Sequence, residues 1–275
     1  MSGLDPREVE TWRTWIGREE IREERLDPEA LRRFAAATGS DLEVERVQPS
    51  LGHWAFFLPV AAASEIGPDG HPRRGGFLPP VTLPRRMFAA SDIRFGPPLA
   101  LGEPARMTSR IVDVRHKSGR TGDLVFVEIL REITQSAGTC ISEQQTVVYR
   151  EEGGATPAPE PAAIAPEPGE TVWIPGPVDL FRFSAVTFNS HRIHYDLPYA
   201  TGEEGYPGLV VHGPFTASRL HAHAQASRGA RLSRFAFRAM SPMFCGQEIR
   251  LRLSGDEAQA IRCDGALAMS ASIAV

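Results

Sequence analysis

The chain repeats its own pattern. Arg94, Pro98 and Gly102 stand four and four apart, and Arg238, Pro242 and Gly246 reproduce that spacing 144 positions later (238 − 94). RFAAATGS at Arg33–Ser40 is matched by RFSAVTFN at Arg182–Asn189, 149 positions on (182 − 33), with Arg-Phe-x-Ala-x-Thr kept in both. Two matches in the same order at nearly equal offsets predict a duplicated fold. The copies differ at one informative place. At the offset of 149, Asn189 corresponds to Ser40 and His194 to Glu45, so the first copy lacks the histidines of the second. One functional site per chain is expected, in the second half, with the first half a degenerate copy that contributes walls and ligand contacts.

Taken in order, Met1–Gly17 places Val9, Trp12 and Ile16 at helical spacing. Asp27-Pro28-Glu29 then sets an N-cap, a first-turn proline and an early acid before LRRFAAATG, a helix ending at Gly39. Gln48–Val60 is apolar and reads as a short buried helix or a strand. Ile66–Pro84 is so dense in glycine and proline that it must be an irregular loop, long enough to suggest a functional role. From Arg86 the texture turns to strands, with Ile111–Arg115, Asp123–Ile133 and Cys140–Arg150 divided by turns at Lys117–Gly122 and Ser136–Gly138. A Pro/Ala/Glu segment at 151–169 cannot build a core and reads as a linker between modules 1–150 and 170–275. Beyond it are expected a strand at Val178–Ala185, a helix from Gly213 to Ser227, and strands at Arg234–Met240, Glu248–Leu253, Ala258–Cys263 and Ala266–Ala274.

Composition narrows the function classes. A formal charge of −4 over 275 residues gives no basic footprint, which excludes nucleic acid as a partner. Three scattered cysteines show neither zinc spacing nor a disulfide framework and fit a reducing compartment. The charged start of the chain and the absence of a long apolar run point to a cytoplasmic protein without a membrane partner.

The chemistry concentrates in FNSHRIHYD (Phe188–Asp196) and VVHGPFTASRL (Val210–Leu220), which hold three of the eight histidines. The helix opening after His212-Gly213 is rich in Ala, Gly and Ser, so a sheet can approach it closely, with Phe215 and Leu220 as inward anchors. His221 and His223 diverge by roughly 200° on a helix and cannot chelate one metal together. No histidine spacing matches a known zinc site, and no metal or other cofactor is expected.

HRIHYD, HGP opening a helix, FRAMSPMFCGQEI and, in the first half, GGFLPPVTLPRRMFA together resemble the MaoC-type hydratases, over about Ala30 to Gln247. Within them the chain is similar to the branch of mesaconyl-C4-CoA hydratases, itaconyl-CoA hydratases and mitochondrial 3-hydroxyacyl-thioester dehydratases. The resemblance implies an α+β double hotdog, two curved antiparallel sheets each wrapped around a central helix. It also implies reversible hydration of an α,β-unsaturated acyl-CoA thioester, with a short branched dicarboxylic acyl group as the expected substrate. Dehydration of 3-hydroxyacyl-ACP or -CoA, thioester hydrolysis and a catalytically silent thioester-binding module remain the alternatives.

For such chemistry His194 is the natural proton carrier, able as a single imidazole to shuttle the proton of water. The Gly213 N–H at the helix start suits the thioester oxygen. The wider family carries an Asp-x-Asn-Pro-Ile-His element in which Asp and His work as a pair, and Asn189 stands where that Asp would be. Asn189 cannot take a proton from water and is left to orient it. Asp196 either orients His194 or caps backbone amides. His191 belongs at the rim, and His212 either contacts substrate or satisfies the turn. Arg85, Arg86, Arg192 and Arg238 are the candidates for CoA phosphates or for a free substrate carboxylate, and Trp54 lines either the core or the acyl pocket. Monomer and homodimer are both compatible with two modules in one chain.

Overall fold

The computed structural model describes residues 4–119, 122–163 and 165–275. Along the chain run α1 (Pro6–Arg13), β1 (Glu19–Arg25), α2 (Pro28–Thr38), β2 (Arg85–Phe95), β3 (Pro104–Gly119), β4 (Gly122–Gln135), β5 (Gly138–Arg150) and β6 (Thr171–Trp173). They are followed by α3 (Pro177–Val186), α4 (Leu197–Gly202), α5 (Gly213–Arg228), β7 (Arg234–Ala239), β8 (Ile249–Ser254), β9 (Glu257–Arg262) and β10 (Leu267–Ala274). Local chemistry explains the helix ends. The Asp27 carboxylate accepts the Glu29 N–H at 3.0 Å to start α2, and Gly39 ends it in the left-handed conformation at φ 69°.

All strands join one antiparallel sheet in the order β1-β3-β4-β5-β2-β7-β10-β9-β8-β6. From the central β2–β7 pair outward, the two halves have the same topology. The β2–β7 ladder runs from Ala90↔Arg238 to Arg94↔Arg234, with Asp92 opposite Ala236 at its middle. A two-fold axis through an antiparallel pair relates its central residues, and their separation is again 144 (236 − 92). Gly102 and Gly246 share left-handed backbone, at φ 76° and 79°. Pro28 and Pro177, 149 apart (177 − 28), each open a helix, and α2 packs on α3 with the Phe34 and Phe183 rings 5.9 Å apart. The duplication read from sequence is the architecture of the molecule.

The halves are unequal where the site lies. Helix α5 packs on β7, β8, β9 and β2, burying Phe215 and Leu220 as expected. Among the described residues the first half has no counterpart to α5. Between α2 and β2 there are only two 3-10 turns, Gly52–Ala55 and Ala63–Glu65. Six prolines between Pro59 and Pro84 deny this stretch the backbone donors of a helix. The expectation of one helix per sheet therefore holds for the second module only, and the two sheets merge at β2–β7. In the first half α1, Val81 and Leu83 cover Ile111, Val114, Val125, Val127 and Ile129 instead.

Other expectations need correction. Val178–Ala185 lies in a helix, α3. Pro177 sits at its start and the Asp179 carboxylate accepts the Gly176 N–H at 2.8 Å, while burial falls on Leu180, Phe183 and Ser184 at helical rather than alternating spacing. Gln48–Val60 forms neither regular helix nor strand beyond its 3-10 turn. Helix α1 ends at Arg13, leaving Ile16 exposed beyond it. The edge strands β1, with its charged sequence EEIREER, and β6 carried no apolar alternation to reveal them. Arg120 and Thr121, in the expected Lys117–Gly122 turn, and Ile164 of the linker lie outside the described residues. No described helix is long and apolar enough to cross a membrane.

Candidate active site

Four imidazoles form a row where the two halves meet. His71 comes from the Gly/Pro loop of the first half, His191 and His194 from the turn after α3, and His212 from the residue preceding α5. Ring centroids are 4.1 Å apart for His71–His191, 5.5 Å for His191–His194 and 3.6 Å for His194–His212, the last pair stacked. The row leads from a partly exposed His71 inward to His212, which is fully buried.

The turn is built by its own residues. Phe188 ends α3 with a left-handed φ of 49°, a conformation that costs a bulky residue about 1 kcal/mol. That bend lets the Asn189 N–H reach the Ser184 carbonyl at 2.8 Å, while Asn189 Oδ1 accepts the His191 N–H at 3.0 Å. Asn189 thus spends its oxygen on backbone, and its amide N–H donors have no hydrogen-bond partner among the described residues. Asp196 caps α4 through the Tyr199 N–H at 3.1 Å and accepts the Arg192 guanidinium at 2.8 Å, so capping, not orientation of His194, is its role.

His194 Nδ1 donates to the Val210 carbonyl at 2.7 Å, which leaves Nε2 as an unprotonated acceptor. Burial pushes His194 down to about 4, so it is a neutral base at physiological pH. Burial, with His71 and His194 alongside, pushes His191 to about 2, and burial first holds His212 well below the ordinary imidazole value. His212 Nε2 lies 2.8 Å from Ser184 Oγ; its buried Nδ1 has no partner among the described residues. Gly213 opens the sixteen-residue helix α5, and its N–H meets no acceptor among the described residues. A Cβ there would meet only the Phe88 carbonyl, at 3.7 Å, so the helix start stays open on that side.

The arginines part ways. Arg85 is buried in an ion pair with Glu204 at 3.1 Å and bonds the Glu204 and Gly153 carbonyls. Arg192 ties the turn to the opposite half, donating to Asp196 and, at 2.9 Å, to the Pro68 carbonyl. Arg238 alternates with Phe235 and Phe237; the Phe235 ring contacts His221 of α5, so Arg238 leaves from the far face of the sheet, beside an open groove of about 600 Å³. Arg86 lies beside the row. After burial and the Asp69 bond, its charge is a cause holding His71 low, and it approaches the Tyr149 hydroxyl without completing a hydrogen bond. Arg86 has no carboxylate partner among the described residues.

The structure brings together His194, His212, Asn189, Gly213, His191 and Arg86, and leaves Arg85, Arg192 and Arg238 in other roles. Sequence reasoning missed Asp69 and His71, although it singled out their loop, and missed Ser184. Trp54 packs on Phe88 and Phe237, with its indole N–H 3.3 Å from Glu143; burial opposes the charge of Glu143, but the bond from His53 and neighbouring donors hold its carboxyl at about 2. Asp69, His71 and His191 offer donor atoms within 4.8 Å of one another. Both Asp69 oxygens are, however, occupied by the backbone and ring N–H of His71, each at 3.0 Å. The three groups form a hydrogen-bonded carboxylate–imidazole pair beside a second imidazole.

Over 275 residues the chain is 44% identical to mesaconyl-C(4)-CoA hydratase of Chloroflexus aurantiacus, spanning 95% of this chain and 97% of that protein. It is 28% identical over 241 residues to the mitochondrial hydroxyacyl-thioester dehydratase type 2 of Schizosaccharomyces pombe, spanning 78% and 80%. A conserved Mycobacterium tuberculosis protein with a double hotdog fold superposes at a TM-score of 0.56 and 12% identity, covering 94% of this chain and 95% of that one. Residues 51–245 match the family model of hydroxyacyl-thioester dehydratase type 2. The chain belongs to that family, an α+β double-hotdog hydro-lyase acting in acyl-thioester hydration and dehydration.

Proposed function

We propose that the chain reversibly hydrates a short branched dicarboxylic enoyl-CoA such as mesaconyl-C4-CoA or itaconyl-CoA, with His194 as the base for water. The observation that carries this is the free Nε2 of a buried, neutral His194 stacked on His212, the residue that precedes α5. As water oxygen bonds the β-carbon, Nε2 takes its proton and the π electrons move toward the thioester oxygen. The Gly213 N–H, at the positive end of α5, meets that developing charge. The Asn189 amide orients the water, and protonation of the α-carbon completes the addition. His212 supports the His194 ring by stacking. The first half serves as a degenerate module supplying substrate contacts, chief among them Arg86, an unpaired guanidinium suited to the free carboxylate of the acyl group.

The test is a panel of enoyl-CoA thioesters followed through loss of the conjugated thioester absorbance. Mesaconyl-C4-CoA or itaconyl-CoA should turn over, His194→Ala should lose ~10²-fold or more, and Arg86→Gln should weaken these substrates far more than crotonyl-CoA. Turnover confined to linear 3-hydroxyacyl thioesters would reassign the substrate. Release of free thiol would reassign the reaction, and binding without turnover would make the chain a silent binding module.

A further inference from the structure

Hydration needs a donor for the α-carbon as well as a base for water, and Asn189 cannot be that donor. We propose that the Asp69–His71 pair, delivered by the Gly/Pro loop of the first half, is the second acid/base group of the site, with His71 protonating the α-carbon. This role rests on the hydratase reading.

Three observations carry it. First, the pair is built as a carboxylate–imidazole couple. Asp69 Oδ2 faces His71 Nδ1 at 3.0 Å and Oδ1 accepts the His71 N–H at 3.0 Å, so the ring is fixed with Nε2 outward. Burial pushes Asp69 up, but the bond from His71 outweighs it and holds the carboxyl well below its usual range. Second, the loop is bolted to the histidine turn. The Arg192 N–H donates to the Asp69 carbonyl at 3.0 Å, Arg192 also reaches Pro68, and Ser190 Oγ donates to the Gly70 carbonyl. The approach is so close that a Cβ on Gly70 would lie 1.9 Å from the Ser190 carbonyl oxygen, and Gly70 holds φ +88°. The Gly67 N–H closes the loop on the His71 carbonyl at 2.7 Å. Third, the His71 ring lies against that of His191 at 4.1 Å and a tilt of 39°, His191 contacts His194 in turn, and the His71 side chain retains partial exposure.

The groups facing His71 are Asp69 and Arg74 of its own loop, Arg86 of β2, and His191 of the turn. Asp69 favours the imidazolium; the two arginines and His191 oppose it. Burial, the largest influence, also opposes the charge and holds His71 low, as it does His194; what distinguishes His71 is its carboxylate partner, whereas His194 has only a backbone carbonyl. In hydration, water oxygen bonds the β-carbon and His194 Nε2 takes the water proton. The electron pair placed on the enolate then takes the Nε2 proton of the His71 imidazolium at the α-carbon. The proton left on His194 returns to His71 through His191 or solvent, which restores both groups. Dehydration runs the same steps backward, with neutral His71 removing the α-proton.

The test uses the full chain with mesaconyl-C4-CoA and its hydration product. Wild-type turnover comes first; its absence overturns the hydratase reading and this role with it. His71→Gln should lower kcat by ~10² to 10⁴-fold with KM changed less than about threefold, and should abolish exchange of the product's α-proton in deuterium oxide. Asp69→Asn removes the group that favours the imidazolium, so the basic limb of the hydration pH profile should move to lower pH, a shift that loss of a merely structural contact would not produce. Full α-proton exchange in His71→Gln, kcat within about threefold of wild type, or an unmoved basic limb in Asp69→Asn would each overturn the proposal. Because the two variants perturb different residues, misfolding of one leaves the other decisive.

Discussion

Acid should unfold this protein at a pH where its carboxylates are still ionised. His194 is held at about 4 by burial, against about 6.5 in an unfolded chain. Its folded value is depressed, so between these limits the unfolded state binds a proton that the folded state refuses, and stability falls as pH falls. Each pH unit costs about 1.4 kcal/mol, so going from 6.5 to 5 removes about 2 kcal/mol through His194 alone. His191 and His221, lowered by burial to about 2 and about 3, act in the same direction over the same interval. Asp69 and Glu143, although their carboxyls are held low, lose their contributions only at pH values below this interval. Urea unfolding at pH 7.5 and pH 5.0, compared for wild type and His194→Gln, isolates the effect. The wild type should lose at least ~2 kcal/mol, and the variant should lose ~2 kcal/mol less. Equal pH dependence in both proteins would refute the claim that a neutral, desolvated His194 is part of the native state.

Gly70→Ala should leave the sheet intact yet detach the loop from the turn, because its Cβ falls on the Ser190 carbonyl and its φ is +88°. A loss of ~1–2 kcal/mol with a marked fall in kcat/KM is expected, and unchanged turnover would count against a loop–turn contact in the working enzyme. Phe183→Ala removes a ring that is 1% exposed, stacked on Phe215 at 4.7 Å and set against Phe34 and His212. Its expected cost is ~3–5 kcal/mol by chemical denaturation, and a cost below ~1 kcal/mol would deny it the task of joining α2, α3 and α5.

The repeat extends to the helices that precede each half's strands. The match of RFSAVT with RFAAAT assigns to residues 177–186 the helix already evident at 28–38, yet the apolar alternation of Val178 and Leu180 suggests a strand. A local pattern competed with an internal homology, and tertiary packing favoured the homology: Phe183 is buried because Phe34, its equivalent, faces it. Strand β1 was illegible for the opposite reason, since an edge strand needs only a neighbour's backbone and its charged side chains carry no burial signal.

Sequence alone determined the duplication, the strands that alternate apolar and polar residues, the capped helices, and the clustering of histidines ahead of Gly213. These follow from periodicity, capping and backbone restriction, which act within a few residues. Tertiary structure decided what spans long separations. It joined the two sheets through β2 and β7, sent Arg238 to the far face and spent Arg85 on Glu204. It also carried Asp69 and His71 across some 120 positions to His191. No local rule can register a carboxylate in a proline-rich loop of one half against an asparagine in the turn of the other. Only the packing that brings Gly70 against Ser190 places a carboxylate–imidazole pair beside the site where Asn189 provides none.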